Sequence, residues 1–163
     1  IEIICLAIAK KIGLSEAQQA DLALLAQVHD LGKVGIPDSI LNKRGHLSEA
    51  EIKIMRQHPE KGYRIATASP HLAGISRLIL CHHERWDGKG YPLGLAGTEI
   101  PIECRILAIA DAYDAMTGFR PYRKQLGHAK AIQELQANAG IQFDPELVEV
   151  AIPILNEIQH ETN

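Results

Sequence analysis

Apolar residues recur along this chain at the i, i+3, i+4, i+7 spacing of one helix face and almost never alternate with polar ones, which confines it to a helical fold. Leu22, Leu25, Ala26 and His29 follow that spacing, as do Ile75, Leu78, Ile79 and His82. Cys104, Leu107, Ala108 and Asp111 repeat it, and the row continues to Ala115. Leu147, Val150, Ala151 and Ile154 close the series, with Pro145 placed for a first helical turn. Ser15 with Gln18, and Ser48 with Glu51, carry the spacing of a capping box at a helix start. The pattern predicts an all-α, compact bundle of about seven helices joined by short turns. No linker or repeat divides residues 1–163, which read as one domain with enough chain to bury a core.

Composition excludes several functions. A net charge of −3 without a basic stripe speaks against binding duplex nucleic acid by phosphate neutralisation. The longest apolar run, residues 3–9, is far below the roughly 18 residues of a membrane span. Cys5, Cys81 and Cys104 are odd in number and never spaced C-x-x-C, which fits a reducing, cytoplasmic compartment. The chain opens on Ile1-Glu2 without an initiator Met or a secretory leader, and reads as a segment cut from a longer polypeptide.

One connection is unusual. Residues 84–101 hold Gly88, Gly90, Pro92, Gly94, Gly97 and Pro101, which forbid a regular helix. Connections longer than about 12–15 residues in a compact domain are functional or disordered as a rule. Trp86 and Tyr91 argue for an ordered binding loop. Trp86 is read as a plug onto the core, whereas Tyr91 suits either a plug or a stacking surface for a base.

Polar groups fall on the apolar faces. His29 and Asp30 end the second helix, with Gly32 placed for its C-terminal cap. His58 follows Ile54 by four residues and is stopped by Pro59, so it projects from a helix end. His82 and His83 abut the long loop; Asp111 lies mid-helix, with Asp114 one turn on. A single inward histidine is ordinarily a hydrogen-bonded core residue. His29, Asp30, His58, His82, His83 and Asp111 together leave too many polar groups for one small core, because an unpaired buried carboxylate costs several kcal/mol. A metal cluster satisfies all six. Imidazoles suit Fe, Mn or Zn, and the absence of cysteine from the set argues against a structural thiolate site. His29 would hold one metal while Asp30 bridges to a second. Paired metals roughly 3.5–4 Å apart clamp the attacking and leaving oxygens of an in-line phosphoryl displacement. Lys33, one turn beyond Asp30, suits either a phosphate oxygen or solvent, and Arg120 and Arg123 suit either bidentate phosphate contact or an ordinary surface position. Asp114 would orient a ligand or hold Arg120. His46, His71, His128 and His160 have no such context and are read as surface residues.

These segments resemble the HD-GYP family. The resemblance is carried by His29-Asp30-Leu31-Gly32-Lys33-Val34-Gly35-Ile36-Pro37-Asp38, by His58-Pro59, and by His82-His83-Glu84-Arg85-Trp86-Asp87-Gly88-Lys89-Gly90-Tyr91-Pro92. Ile109-Ala110-Asp111-Ala112-Tyr113-Asp114-Ala115-Met116, Arg120-Pro121-Tyr122-Arg123 and Gln142-Phe143-Asp144-Pro145 extend it over nearly the whole chain. It implies an all-helical, metal-dependent phosphohydrolase of the HD superfamily that hydrolyses cyclic di-GMP to linear pGpG, and in some members on to GMP. It implies metal-ligand roles for the same six residues, holding two or three divalent transition metals, iron or manganese. It gives Lys33 and Arg120 the phosphate, with Arg123 nearby. Gly90, Tyr91 and Pro92 fall in a loop beside the substrate, which in some members also meets a GGDEF-type cyclase. A homodimer and an upstream regulatory domain are further implied partners.

The first helix departs from the family pattern. It lacks the usual His, which alignment would place just before Ile1, so the first helix reads as truncated; Glu2 is the acid nearest that place. Three readings follow: a cyclic di-GMP phosphodiesterase using Asp30 and Lys33, a hydrolase of another cyclic dinucleotide, or a degenerate module that binds nucleotide or a GGDEF-type partner without turnover.

Overall fold

Both capping boxes form: Ser15 and Gln18 exchange side-chain and backbone bonds at 3.3 Å, and Ser48 does the same with Glu51. They open α2 (Glu16–Val28) and α4 (Glu49–Met55). The computed structural model describes residues 1–118 and 125–162. The remaining helices are α1 (Glu2–Lys11), α3 (Asp38–Leu41), α5 (His58–Thr67), α6 (Ser76–Cys81), α7 (Ile102–Thr117), α8 (His128–Ala137) and α9 (Pro145–Thr162). Among the described residues there is no strand, only an isolated bridge between Ala139 and Phe143. The all-α reading holds; the helix number exceeds about seven because α3 is one short turn and α4 and α5 are separate elements.

Helix α7 is the axle of the fold. It packs against α1, α2, α6, α8 and α9, and its Cys104, Ile106, Leu107, Ile109 and Ala110 are buried. Leu22 and Leu25 of α2, Ile79 of α6, and Leu147, Ala151 and Leu155 of α9 complete the same core. Removing this apolar surface from water, at about 25 cal/mol per Å², is the main force holding the helices together.

Three local expectations are corrected. Gly32 is not a left-handed cap; its φ is not positive, and it sits inside a 3₁₀ turn over Leu31–Gly35. A Cβ there would overlap the carbonyl oxygen of His58 and lie 2.5 Å from the backbone nitrogen of Gly62, so the glycine lets this turn touch α5. His58 does not end a helix but begins α5, because Pro59, lacking an N–H, is tolerated in a first turn. His128 is no free surface residue: its ring sits 2.8 Å from the Tyr113 hydroxyl and 2.8 Å from Asn156 Oδ1, tying α7, α8 and α9 together.

Candidate metal centre

Four elements end at one place. His29 is the C-cap of α2, Asp30 precedes the 3₁₀ turn, His58 starts α5, and His82 caps α6 with His83 next. Three of the imidazoles are oriented alike. Each donates its Nδ1–H to the carbonyl three residues back: His29 to Ala26 at 3.1 Å, His58 to Met55 at 2.8 Å, His82 to Ile79 at 2.6 Å. A carbonyl only accepts, so the proton must be on Nδ1 and the lone pair on Nε2. Those lone pairs face inward. Nε2 of His58 lies 3.2 Å from Nε2 of His82 and 3.1 Å from Nε2 of His83.

Two lone pairs facing each other at that distance repel unless a positive centre lies among them. The donor set therefore fits a divalent cation, with the backbone-bonded Nδ1 fixing the rings of His29, His58 and His82. The donor atoms of Asp30, His58, His82 and His83 all fall within 4.8 Å of one another. Asp30 divides its oxygens: Oδ1 is 3.5 Å from His58 Nε2, while Oδ2 is 3.6 Å from His29 Nε2 and 2.7 Å from the Lys33 ammonium. Asp111 is not in the tight group. It shares with His82 and His83 a cavity of about 160 Å³.

Burial keeps the imidazoles of His58, His82 and His83 neutral. Burial lowers the His58 pKa and pushes His82 well below the ordinary value. His83 falls to about 3, through burial and then the neighbouring His58. For Asp30, burial alone would raise the pKa, but the hydrogen bond and the charge of Lys33 outweigh it and hold the carboxyl ionised. Asp111 is raised by burial, with the charge of Asp30 adding to it. Neutral imidazoles and one ionised carboxylate are the protonation states a metal needs.

The long loop is ordered, as expected, by a residue the sequence reading did not single out. Glu84 is buried, and its carboxylate accepts from the backbone of Leu93 at 2.7 Å and of Leu95 at 3.0 Å. That latch folds the loop back over His83. Gly90 then presses against the backbone of Glu84 and Arg85, where no side chain fits. Tyr91 follows, joined to Pro92 by a cis peptide, and stacks on His83 with ring centroids 5.0 Å apart. Trp86 bonds back to the Gln142 carbonyl and packs near Arg105, which pairs with Asp144 at 2.8 Å; that is the plug. Arg56, also unremarked in sequence, sets its guanidinium 5.1 Å from the Tyr91 ring centre.

Other expectations land apart from the cluster. Asp114 lies one turn past Asp111 and adds its charge to that carboxyl's environment. Glu2 accepts from Gln27 Nε2 at 2.9 Å. Arg120 and Arg123 lie outside the described residues. Cys5, Cys81 and Cys104 are free and buried, which fits their exclusion from the donor set. Among the described residues no helix is long and apolar enough to cross a membrane.

Comparison with known proteins agrees with this geometry. The HD domain family matches residues 1–147. A protein of Thermotoga maritima named cyclic di-GMP phosphodiesterase is 43% identical over 153 residues, covering 93% of this chain and 42% of that protein. A Vibrio cholerae protein named 3'3'-cGAMP-specific phosphodiesterase 2 is 40% identical over 154 residues, covering 93% of this chain and 30% of that protein. The chain thus spans less than half the length of these curated relatives. Among solved structures, an HDG"Y"P protein from Bdellovibrio bacteriovorus superposes with a TM-score of 0.73 at 22% identity, covering 95% of this chain and 50% of that one, which supports the fold. With the His29-Asp30, His82-His83 and Gly90-Tyr91-Pro92 motifs around one centre, this chain belongs to the HD domain family, in its HD-GYP branch.

Proposed function

We propose that this domain is a metal-dependent phosphodiesterase that hydrolyses cyclic di-GMP to linear pGpG. The observation that carries the reading is Asp30, whose two oxygens face different histidines, as a carboxylate shared by two cations requires. Two cations, iron or manganese, suit these nitrogen and carboxylate donors. His29, Asp30 and Asp111 would hold one; Asp30, His58, His82 and His83 would hold the other. Such ions supply the charge that polarises a phosphodiester and acidifies water.

The chain's own groups do the rest. Asp30 orients both halves of the centre. Lys33, 2.7 Å from Asp30, is placed to meet a phosphoryl oxygen beside that carboxylate. Arg120 and Arg123 are assigned to further phosphate contact. The Glu84 latch holds Gly90, Tyr91 and Pro92 over His83, where they wall one side of the substrate. Asp114 supports Asp111 from the next turn. The loop's outer surface is assigned to a GGDEF-type partner, and the domain to the cytoplasm.

A second reading changes the base. The Vibrio relative's name makes 3'3'-cGAMP a competing substrate at comparable identity. The test is hydrolysis of both dinucleotides by metal-loaded protein, with products separated by chromatography. Faster cyclic di-GMP turnover with pGpG as first product supports the first reading. Preference for cGAMP supports the second. A fully loaded protein that hydrolyses neither overturns both and leaves a binding module.

A further inference from the structure

We propose that Arg56 is a substrate-binding residue: a guanidinium, steadied against Tyr91, that grips a phosphodiester oxygen at the mouth of the metal centre. The inference deepens the function proposed above and rests on it for the identity of the ligand.

Arg56 follows the last residue of α4 and stands two residues before His58, so its backbone is fixed by the same junction that fixes a ligand. The side chain is exposed, yet it does not trail into solvent. Its guanidinium carbon sits 5.1 Å from the Tyr91 ring centroid, and Tyr91 stacks on His83 at 5.0 Å with an interplanar angle of 22°. Arg56, Tyr91 and His83 are thus linked by ring contacts running from the surface to the donor cluster.

Its pairing state differs from that of Lys33, Arg85 and Arg105. Lys33 is engaged by Asp30, Arg85 by Asp87, and Arg105 by Asp144. Among the described residues, Arg56 has no carboxylate within ion-pair distance. Ring contact uses the face of a guanidinium and leaves its N–H edges free to donate, a geometry suited to two oxygens of one phosphate. A cyclic dinucleotide carries two phosphodiesters. Only one can lie at the reacting centre, so the other needs a cation nearby.

The test is the dissociation constant for cyclic di-GMP, measured by calorimetry on the metal-loaded chain, together with metal content and steady-state kinetics. Arg56→Ala and Arg56→Gln are expected to weaken binding about tenfold or more, the size of one lost charge-assisted hydrogen bond. Arg56→Lys, which keeps the charge and loses the fork, is expected to fall between them and wild type. KM should follow the dissociation constant, with kcat within about threefold and metal content unchanged. Affinity for cyclic di-GMP should also depend less steeply on salt in Arg56→Ala. An unchanged dissociation constant in Arg56→Ala overturns the proposal. So does weaker binding that comes with lost metal, which would mean that Arg56 acts only through His58. A wild-type chain that binds but does not hydrolyse the dinucleotide sinks the function reading alone, since the affinities still decide the role of Arg56. A wild-type chain that does not bind it sinks both.

Discussion

An Asp30→Ala substitution removes the carboxylate that faces His29 on one side and His58 on the other. Losing an outer partner of a metal ligand typically costs about 10–100-fold in affinity, and a shared ligand should cost more. The variant is expected to lose both bound metal and hydrolysis, read by elemental analysis and product chromatography; full turnover would refute the assignment. Gly32→Ala tests a different kind of contact. A Cβ at that position meets His58 backbone rather than a movable side chain. It is expected to destabilise the fold by about 2 kcal/mol or more, measured as a lower urea midpoint, with weaker metal retention as α5 shifts. Residue types were readable here, since His29, Asp30, His58, His82, His83 and Asp111 stand out as polar groups on apolar faces. The reason for Gly32 was not, because close approach between distant backbones leaves no trace in local spacing. His58 shows the same limit: Pro59 marks a boundary without saying on which side the helix lies.

At the scale of elements, the connection of residues 84–101 owes its shape to a buried acid. Its glycines, prolines and aromatics announce an ordered loop, and the fold bears this out. The latch was illegible, because an acceptor for two backbone N–H groups nine and eleven residues away has no sequence period. Glu84→Ala is expected to leave those two donors unsatisfied, at roughly 1–3 kcal/mol for each that stays buried. Trp86 is the chain's single tryptophan and lies in this loop, so its emission reports the loop directly. A red shift with faster proteolysis inside residues 84–101 is expected. Unchanged emission and protection would show that Glu84 does not hold the loop. Arg56 escaped the sequence reading for a related reason: its significance comes from Tyr91, which lies far along the chain and meets it only after folding.

For the whole molecule, the buried histidine cluster sets a pH dependence whose sign can be worked out. His58, His82 and His83 titrate below the ordinary histidine value in the fold. Between that value and the folded one, the unfolded chain binds protons that the native chain refuses, so stability rises with pH. Metal-free protein should therefore unfold more easily at about pH 5 than at about pH 7, with this contribution flat above the histidine range. The raised carboxyl of Asp111 gives the opposite sign at lower pH. A midpoint that climbs as pH falls across this window would contradict neutral buried imidazoles. Chelated protein should also melt below loaded protein, because ligands that bind only the native state stabilise it.

All of these expectations rest on inward imidazoles and carboxylates being drawn together by cations. Elemental analysis of anaerobically purified protein, alongside Asp30→Ala, tests that most directly. The account predicts about two equivalents of iron or manganese per chain in the wild type, as a paired-metal site requires, and a loss of both in the variant. A chain that hydrolyses cyclic di-GMP with only trace metal, or an Asp30→Ala protein carrying the wild-type complement, would contradict it.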